Sequence, residues 1–328
     1  MAATAQTRNW DVAWTTSMDV HRKRITDNIN NQNTTLETMR KSGRVEVDRG
    51  GRIIREDLYY ANGTMEWMSG RQAVSTDEPD GVSAAFFETR YAVVPLVISW
   101  TDQQESATSD AATRLLATKT IQARNTLQAG INAAMWAAQS DKSMLGFQDI
   151  LDTTPAVGTL GGINKANESW WRNIADTSST PNWNNKTGDV YDGLGVLGDV
   201  YNQASDGNDE VTDIFTGLTL YGETQVILES TGYARLTAGK GGTSKIDAGK
   251  PAFRGATMHK DRDVPSGRVY GINSKYFKLK VQRGANFAKT PFVKGDAAGQ
   301  LARVSFMVAG LQLVTNNPRR GFVISGIT

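Results

Sequence analysis

The 328-residue sequence contains no cysteine, which excludes a disulfide framework, thiolate zinc centres, iron–sulfur clusters and a cysteine nucleophile. Proline is scarce at 8 residues and histidine scarcer at 2. No window approaches the roughly 18 apolar residues that a membrane-spanning helix needs. Charge of neither sign dominates: 36 Lys and Arg stand against 34 Asp and Glu, net +2, which excludes a simple polybasic nucleic-acid binder or a polyanionic tail protein. The stretch Met1–Trp10 has no apolar signal core, so the expectation is a soluble protein made in a cytoplasm, and the sequons at Asn33, Asn62, Asn167 and Asn185 carry no meaning.

What is present is a globular composition, 39% hydrophobic and 21% charged, with 32 glycines for turns and loops. The length suits two domains or one elaborated one. The even charge balance hides a segregation. Residues 1–60 carry 10 basic and 8 acidic side chains, residues 61–230 carry 9 and 22, and residues 231–328 carry 17 and 4. Two stretches of net −13 and +13 either interleave on one surface or pair between copies.

The first 45 residues are polar, with a basic cluster His21-Arg22-Lys23-Arg24 and a thin apolar stripe (Val20, Ile25, Ile29, Leu36) that allows a helix from about Asp19 to Met39. They read as an arm that gains order by packing on something else. From Arg44 to Trp100 the pattern is strand-like. Val45-Glu-Val47 is expected to meet Arg52-Ile-Ile-Arg55 across the tight turn Asp48–Gly51. Runs at 52–67 and 84–100, rich in β-branched and aromatic residues, flank the polar loop 69–81. Such a ribbon is marginal alone in water and should lie on another surface.

The clearest helix opens near Ser109-Asp110 and runs to about Ala138 without proline. Leu116, Thr120, Leu127, Ile131, Ala134, Met135 and Ala138 share one face, leaving Arg114, Lys119, Arg124 and Asn125 on the outer one. Residues 140–190 read as loops, 188–202 as a helix, Ile214–Tyr221 as a buried strand before a short helix around 223–228, and 231–267 as glycine- and lysine-rich and mobile. Strands follow at 268–272, 276–283 and 301–315, and the chain closes on Phe322–Ile327. The class is α+β, with elements scattered rather than alternating.

Catalytic motifs fail on context. Gly193-Leu-Gly195-Val-Leu-Gly198 matches GxGxxG, but Lys186–Asp192 makes no buried strand before it, as a nicotinamide-dependent oxidoreductase would require. Gly239–Lys245 resembles a phosphate loop in composition only. Neither His21 nor His259 has a ligand-like partner spacing, and there is no GxSxG elbow. The expectation is no catalytic residue, no cofactor and no metal. Eight tryptophans point elsewhere: Trp10, Trp14, Trp67, Trp100, Trp136, Trp170, Trp171 and Trp183. Several fall in ribbon or loop segments, where aromatic side chains serve as anchors of protein–protein contact; core filling is the alternative, above all for Trp100 and Trp136.

Three stretches resemble one family. Gly161-Gly-Ile-Asn-Lys-Ala-Asn-Glu-Ser-Trp-Trp-Arg-Asn173, the ribbon Arg52–Arg55 through Met65–Gly70, and the close Gln312–Ile327 are similar to the major capsid proteins of tailed bacteriophages, with the Hong Kong 97-type fold. The resemblance implies an N-terminal arm (1–44) and an extended E-loop ribbon (45–100). It implies a peripheral domain (101–154 and 269–314) with a spine helix at 110–138, and an axial domain (155–268 and 315–328). It further implies hexamers and pentamers of this chain closing an icosahedral shell around double-stranded DNA, with portal and scaffold or decoration proteins as partners and no membrane. The chain would then lie in the virion capsid, assembled in the host bacterial cytoplasm. Inter-subunit contact candidates are Arg52, Arg55, Trp67 and Arg71 on the ribbon, and Trp170, Trp171 and Arg172 in the 161–173 loop. An encapsulin-type nanocompartment shell is the alternative within the same fold. Some family members crosslink through an E-loop lysine; here no lysine occurs between Lys41 and Lys119, which predicts a shell held by non-covalent contacts.

Overall fold

The computed structural model describes residues 33–327 apart from 49, 64, 72–79, 106–108, 178–181, 188–189, 231–235, 239–243, 247–250 and 295–301. Trp10, Trp14, the His21–Arg24 cluster and most of the arm lie outside the described residues.

The β-rich stretches expected near the C-terminus organise the chain. Ala302–Thr315, a 14-residue strand, is the axis of a six-stranded sheet. Arg90–Ser99 runs antiparallel to it over ten register pairs, from Ser99 opposite Ala302 to Arg90 opposite Leu311. Phe277–Gln282 pairs on its other side, and Val45–Asp48 joins that strand in parallel, Val45 opposite Leu279. The expected hairpin between Val45–Val47 and Arg52–Arg55 does not form. The turn residues Gly50 and Gly51, at φ 112° and 138°, instead redirect the chain out of this sheet and into the ribbon. Between Phe277–Gln282 and the long strand the chain folds back, with Ala288–Lys289 and Val293–Lys294 both pairing on the long strand.

Alternation along these strands buries one face. Leu279, Val281, Met307, Ala309, Leu311, Leu313, Leu96 and Ile98 are covered, and the helix Ser109–Trp136 packs there, about 42 Å long at 1.5 Å per residue. Leu116, Leu127, Ile131 and Met135 are buried in the main core as the stripe predicts, and Ala123 joins them there. Two of the face assignments are corrected, one on each side. Ala138 is exposed beyond the helix end, and Arg124 is buried, at 4% exposure, beside a covered row of Thr120, Gln128 and Asn132.

A second six-stranded sheet carries, in order, Ala252–Phe253, Ala256–Lys260, Asp213–Thr216, Val269–Ile272, Gly321–Ile324 and Ile174–Asp176. The chain therefore passes between sheets after Ile272, since Val269–Ile272 pairs with Gly321–Ile324 in the second sheet and Phe277 begins its strand in the first. Helices Asp192–Ala204 and Leu218–Ser230 lie on it. The apolar run after Gly217 is helical, not strand, and the strand stops at Thr216. Residues 251–267, expected to be mobile with the rest of 231–267, build two strands of this sheet. Trp136 joins the two sheets, its ring 5.5 Å from Phe215, 5.1 Å from Tyr270 and 4.8 Å from Phe147.

The second sheet also contains a buried ion-capable pair. His259 Nε2 lies 2.8 Å from Asp213 Oδ1, and Thr212 donates to Asp213 Oδ2 at 2.7 Å. Burial pushes the Asp213 carboxyl up, but the hydrogen bonds from His259 and Thr212 outweigh it and hold the group below the usual carboxylate range. A depressed folded pKa means the contribution is complete above about pH 4, the unfolded value, and is lost as pH falls through the folded one. Asp213→Asn should therefore cost about 1.5–3 kcal/mol near pH 7, and the gap to wild type should close as urea midpoints are followed from pH 7 to pH 3. A gap independent of pH would refute the assignment.

Candidate assembly surface

A two-stranded ribbon forms between the expected runs but is shorter than they are, since Arg90–Ser99 belongs to the first sheet. Ile53–Tyr59 pairs antiparallel with Val82–Glu88, Ile53 opposite Glu88 and Tyr59 opposite Val82. Because side chains alternate, each face has its own set. Ile54, Leu58, Ala85 and Phe87 are buried in the main core, and Glu56 on the same face reaches Lys280 of the first sheet in an ion pair. The opposite face carries Ile53, Arg55, Asp57 and Tyr59 over Val82, Ala84, Phe86 and Glu88. Four of these apolar side chains are open to solvent: Ile53 60%, Tyr59 69%, Val82 65% and Phe86 52%. The chain beyond Tyr59 adds Met65, Met68 and Trp67, the last 89% exposed. A row of half-exposed or open apolar side chains on one ribbon face is an unusual surface for an isolated subunit.

Charge brackets this face. Arg52 Nε and Nη2 both contact Glu88 Oε1 at 2.7 Å, Arg90 reaches Glu88 Oε2 at 2.9 Å, and Arg55 Nε pairs with Asp57 at 2.7 Å. The hydrogen bond from Arg52, with the charges of Arg90 and Arg52, keeps the Glu88 carboxyl below its usual range. Arg71 is exposed at the edge of the segment 72–79, which lies outside the described residues.

The 161–173 loop sits at the base of the ribbon in the same subunit. Phe86 N donates to Gly161 O at 2.9 Å. Gly161 is in the left-handed region at φ 59°, and a Cβ there would stand 2.9 Å from Ala85 Cβ and 3.1 Å from the Phe87 ring. Trp170 stacks on Tyr60, centroids 4.7 Å apart and planes 9° from parallel. Trp171 is fully buried and donates its indole N–H to Leu160 O at 3.0 Å. Arg172 donates to the carbonyls of Lys165 and Ala166, each at 2.6 Å.

The residues singled out from sequence thus divide. Arg52, Arg55, Trp67 and Arg71 lie open on the ribbon. Trp170 and Arg172 are half-buried and spend their contacts holding the ribbon base, and Trp171 has no surface left for a neighbour. Trp183 is likewise core, its N–H donating to Thr224 at 2.8 Å, whereas Trp100 is 53% exposed. Sequence reasoning missed Ile53, Tyr59, Val82 and Phe86; the signal was the two-residue alternation, which puts them opposite the buried set. The GxGxxG glycines lie inside the helix Asp192–Ala204 rather than in a strand–helix loop, and a Cβ on Gly193 would meet the Trp183 ring at 2.5 Å. That spacing serves packing. Among the described residues, no helix is long and apolar enough to cross a membrane.

No protein-family profile matches the sequence, and no curated protein does. Solved structures do. The capsid asymmetric unit of cyanophage A-1(L) superimposes with a TM-score of 0.64 at 16% identity, over 87% of this chain and 90% of that one. The procapsid of satellite phage P4 gives 0.55 at 12% identity, covering 96% and 98%. A virus-like particle from Pyrococcus furiosus gives 0.52 at 11% identity, covering 97% and 100%. The fold is therefore that of tailed-phage major capsid proteins, α+β and of the Hong Kong 97 type, along nearly the whole chain.

Proposed function

We propose that this protein is a structural capsid subunit whose copies assemble as hexamers and pentamers into an icosahedral shell around double-stranded DNA. The observation that carries the reading is the ribbon, buried on one face and apolar and open on the other, in a chain with a capsid-shell fold. Burial of that outer face against another copy supplies the driving force, and the charged side chains around it steer register. In this reading residues 1–44 are the arm, 45–100 the ribbon, 101–154 and 269–314 the peripheral part, and 155–268 with 315–328 the axial part. Arg52, Arg55, Trp67 and Arg71 make contacts between subunits. Portal and scaffold or decoration proteins complete the assembly, in the cytoplasm of a bacterial host.

Electron microscopy of the expressed chain tests this directly: rings or closed shells are expected, and a stable monomer at high concentration would overturn it. Nucleic acid inside particles from infected cells favours a virion; packaged protein favours the nanocompartment. Because the ribbon offers no lysine, boiled shells should release single chains in denaturing electrophoresis. A ladder of multiples surviving the detergent would show covalent linkage.

A further inference from the structure

Asparagine precedes glycine once in the sequence, at Asn62-Gly63, and aspartate precedes it three times, at Asp80, Asp192 and Asp206. Such pairs are prone to ring closure: the side-chain carbonyl carbon is within reach of the next backbone nitrogen, and glycine has no Cβ in the way. The fold restrains the three aspartate pairs. Gly81 O accepts from Tyr60 N at 2.9 Å, and a Cβ on Gly81 would stand 2.4 Å from Ala61 O. Gly193 lies inside the helix Asp192–Ala204, against the Trp183 ring. Asp206 exchanges backbone hydrogen bonds with Asp209 and pairs with Arg320 at 3.0 Å. Asn62-Gly63 has no such restraint. Both residues are exposed and outside any helix or strand, and nothing stands within 4 Å of where a Cβ on Gly63 would lie. Among the described residues, neither the Asn62 carboxamide nor the Gly63 N–H has a hydrogen-bond partner. The chain just before the pair is clamped, since Tyr60 stacks on Trp170 and bonds Gly81. The chain after it, from Met65 to Arg71, is open and carries Trp67.

We propose that Asn62 is a self-modification site that marks the age of unassembled subunits. The Gly63 backbone nitrogen gives up its proton to solvent and attacks Asn62 Cγ. An N–Cγ bond forms, the Cγ–Nδ2 bond breaks, and Nδ2 leaves as ammonia after taking a proton back. The five-membered succinimide then takes up one water, which opens it at either carbonyl to aspartate or to isoaspartate. The net change is water in and ammonia out, with no oxidation and no cofactor. Either product puts a carboxylate where an amide stood, and charge-changing modifications act through ordinary electrostatics and desolvation. Isoaspartate also adds one carbon to the main chain, between the clamp at Tyr60 and the open Trp67. In a shell this segment lies against another copy, so the new charge has to be desolvated or left unpaired when the contact closes. The same packing takes away the freedom that ring closure needs, so assembled copies keep the amide. Those two consequences rest on the shell reading; the chemistry at residue 62 does not.

The test is peptide mass mapping of the full chain, with unassembled subunits and shells aged in parallel in mildly alkaline buffer. Subunits should accumulate two products at residue 62, aspartate and isoaspartate, equal in mass and separable by chromatography. Every other asparagine should convert several-fold more slowly. Gly63→Ala should slow the conversion several-fold, because a side chain there obstructs the ring, and Asn62→Gln should show none over the same time. Both positions are exposed, so neither variant endangers the fold. Shells should keep the amide. Asn62→Asp should raise the concentration needed for assembly, whereas Asn62→Gln should leave it at the wild-type value. Residue 62 unchanged in aged subunits, or Gly63→Ala converting as fast as wild type, would overturn the site. Shells that convert as fast as subunits, or Asn62→Asp assembling as wild type does, would overturn its role as an age mark. Should no shells form at all, the shell reading fails while conversion in the subunits still decides the site.

Discussion

Trp171→Ala should destabilise the isolated subunit by about 3–5 kcal/mol, the range for removing a buried tryptophan. Three effects coincide at that position. The indole has no exposed surface, it belongs to the main core, and it donates to Leu160 O at 3.0 Å. Its loss leaves a cavity and an unsatisfied carbonyl beneath the loop that holds the ribbon. Trp170, 5.4 Å away and stacked on Tyr60, then loses its backing, so ribbon and loop should loosen together. Urea unfolding measures the first part. Hydrogen exchange at Phe86 N, which bonds Gly161 O, measures the second. A loss under about 1 kcal/mol would place Trp171 outside the core and restore it as a contact residue.

How the sequence betrays this arrangement varies from element to element. The strands 277–282 and 302–315 and the helix 109–136 are legible because each has a long, clean period and a single buried face. Val45–Asp48 misleads because its turn signal is local while its partner, Leu279–Gln282, lies more than 200 residues onward. Arg124 misleads for a different reason. A charged residue reads as solvent-facing, but this helix is covered over more than one stripe, and its second stripe is polar. Leu218–Ser230 is a short apolar run, in which strand and buried helix share one composition. The tryptophans were legible as a group and ambiguous one by one. Trp170, Trp171 and Trp183 differ from Trp67 only in what the folded chain places over them.

That difference sets the second large effect. Trp67→Ala combined with Phe86→Ser should leave subunit stability within about 0.5 kcal/mol of wild type for the exposed tryptophan, with little added by the half-exposed phenylalanine. Assembly should fail at concentrations where wild type forms particles. Trp67 is 89% exposed and Phe86 52%, so neither contributes much to the subunit's own core. Buried against another copy, an aromatic anchor carries about 2–4 kcal/mol, equivalent to roughly 30- to 700-fold in affinity per contact. In a closed shell every subunit repeats the contact, so the loss is multiplied around each ring. Arg52→Ala should act differently. Its pairing with Glu88 is exposed, worth about 0–1 kcal/mol and screened by salt, so it should slow assembly at low ionic strength more than at high. Sedimentation at matched concentrations separates the outcomes. Particles from the double variant at wild-type concentrations would remove the ribbon's outer face from the contact between subunits, and a double variant that unfolds would place that face in the core.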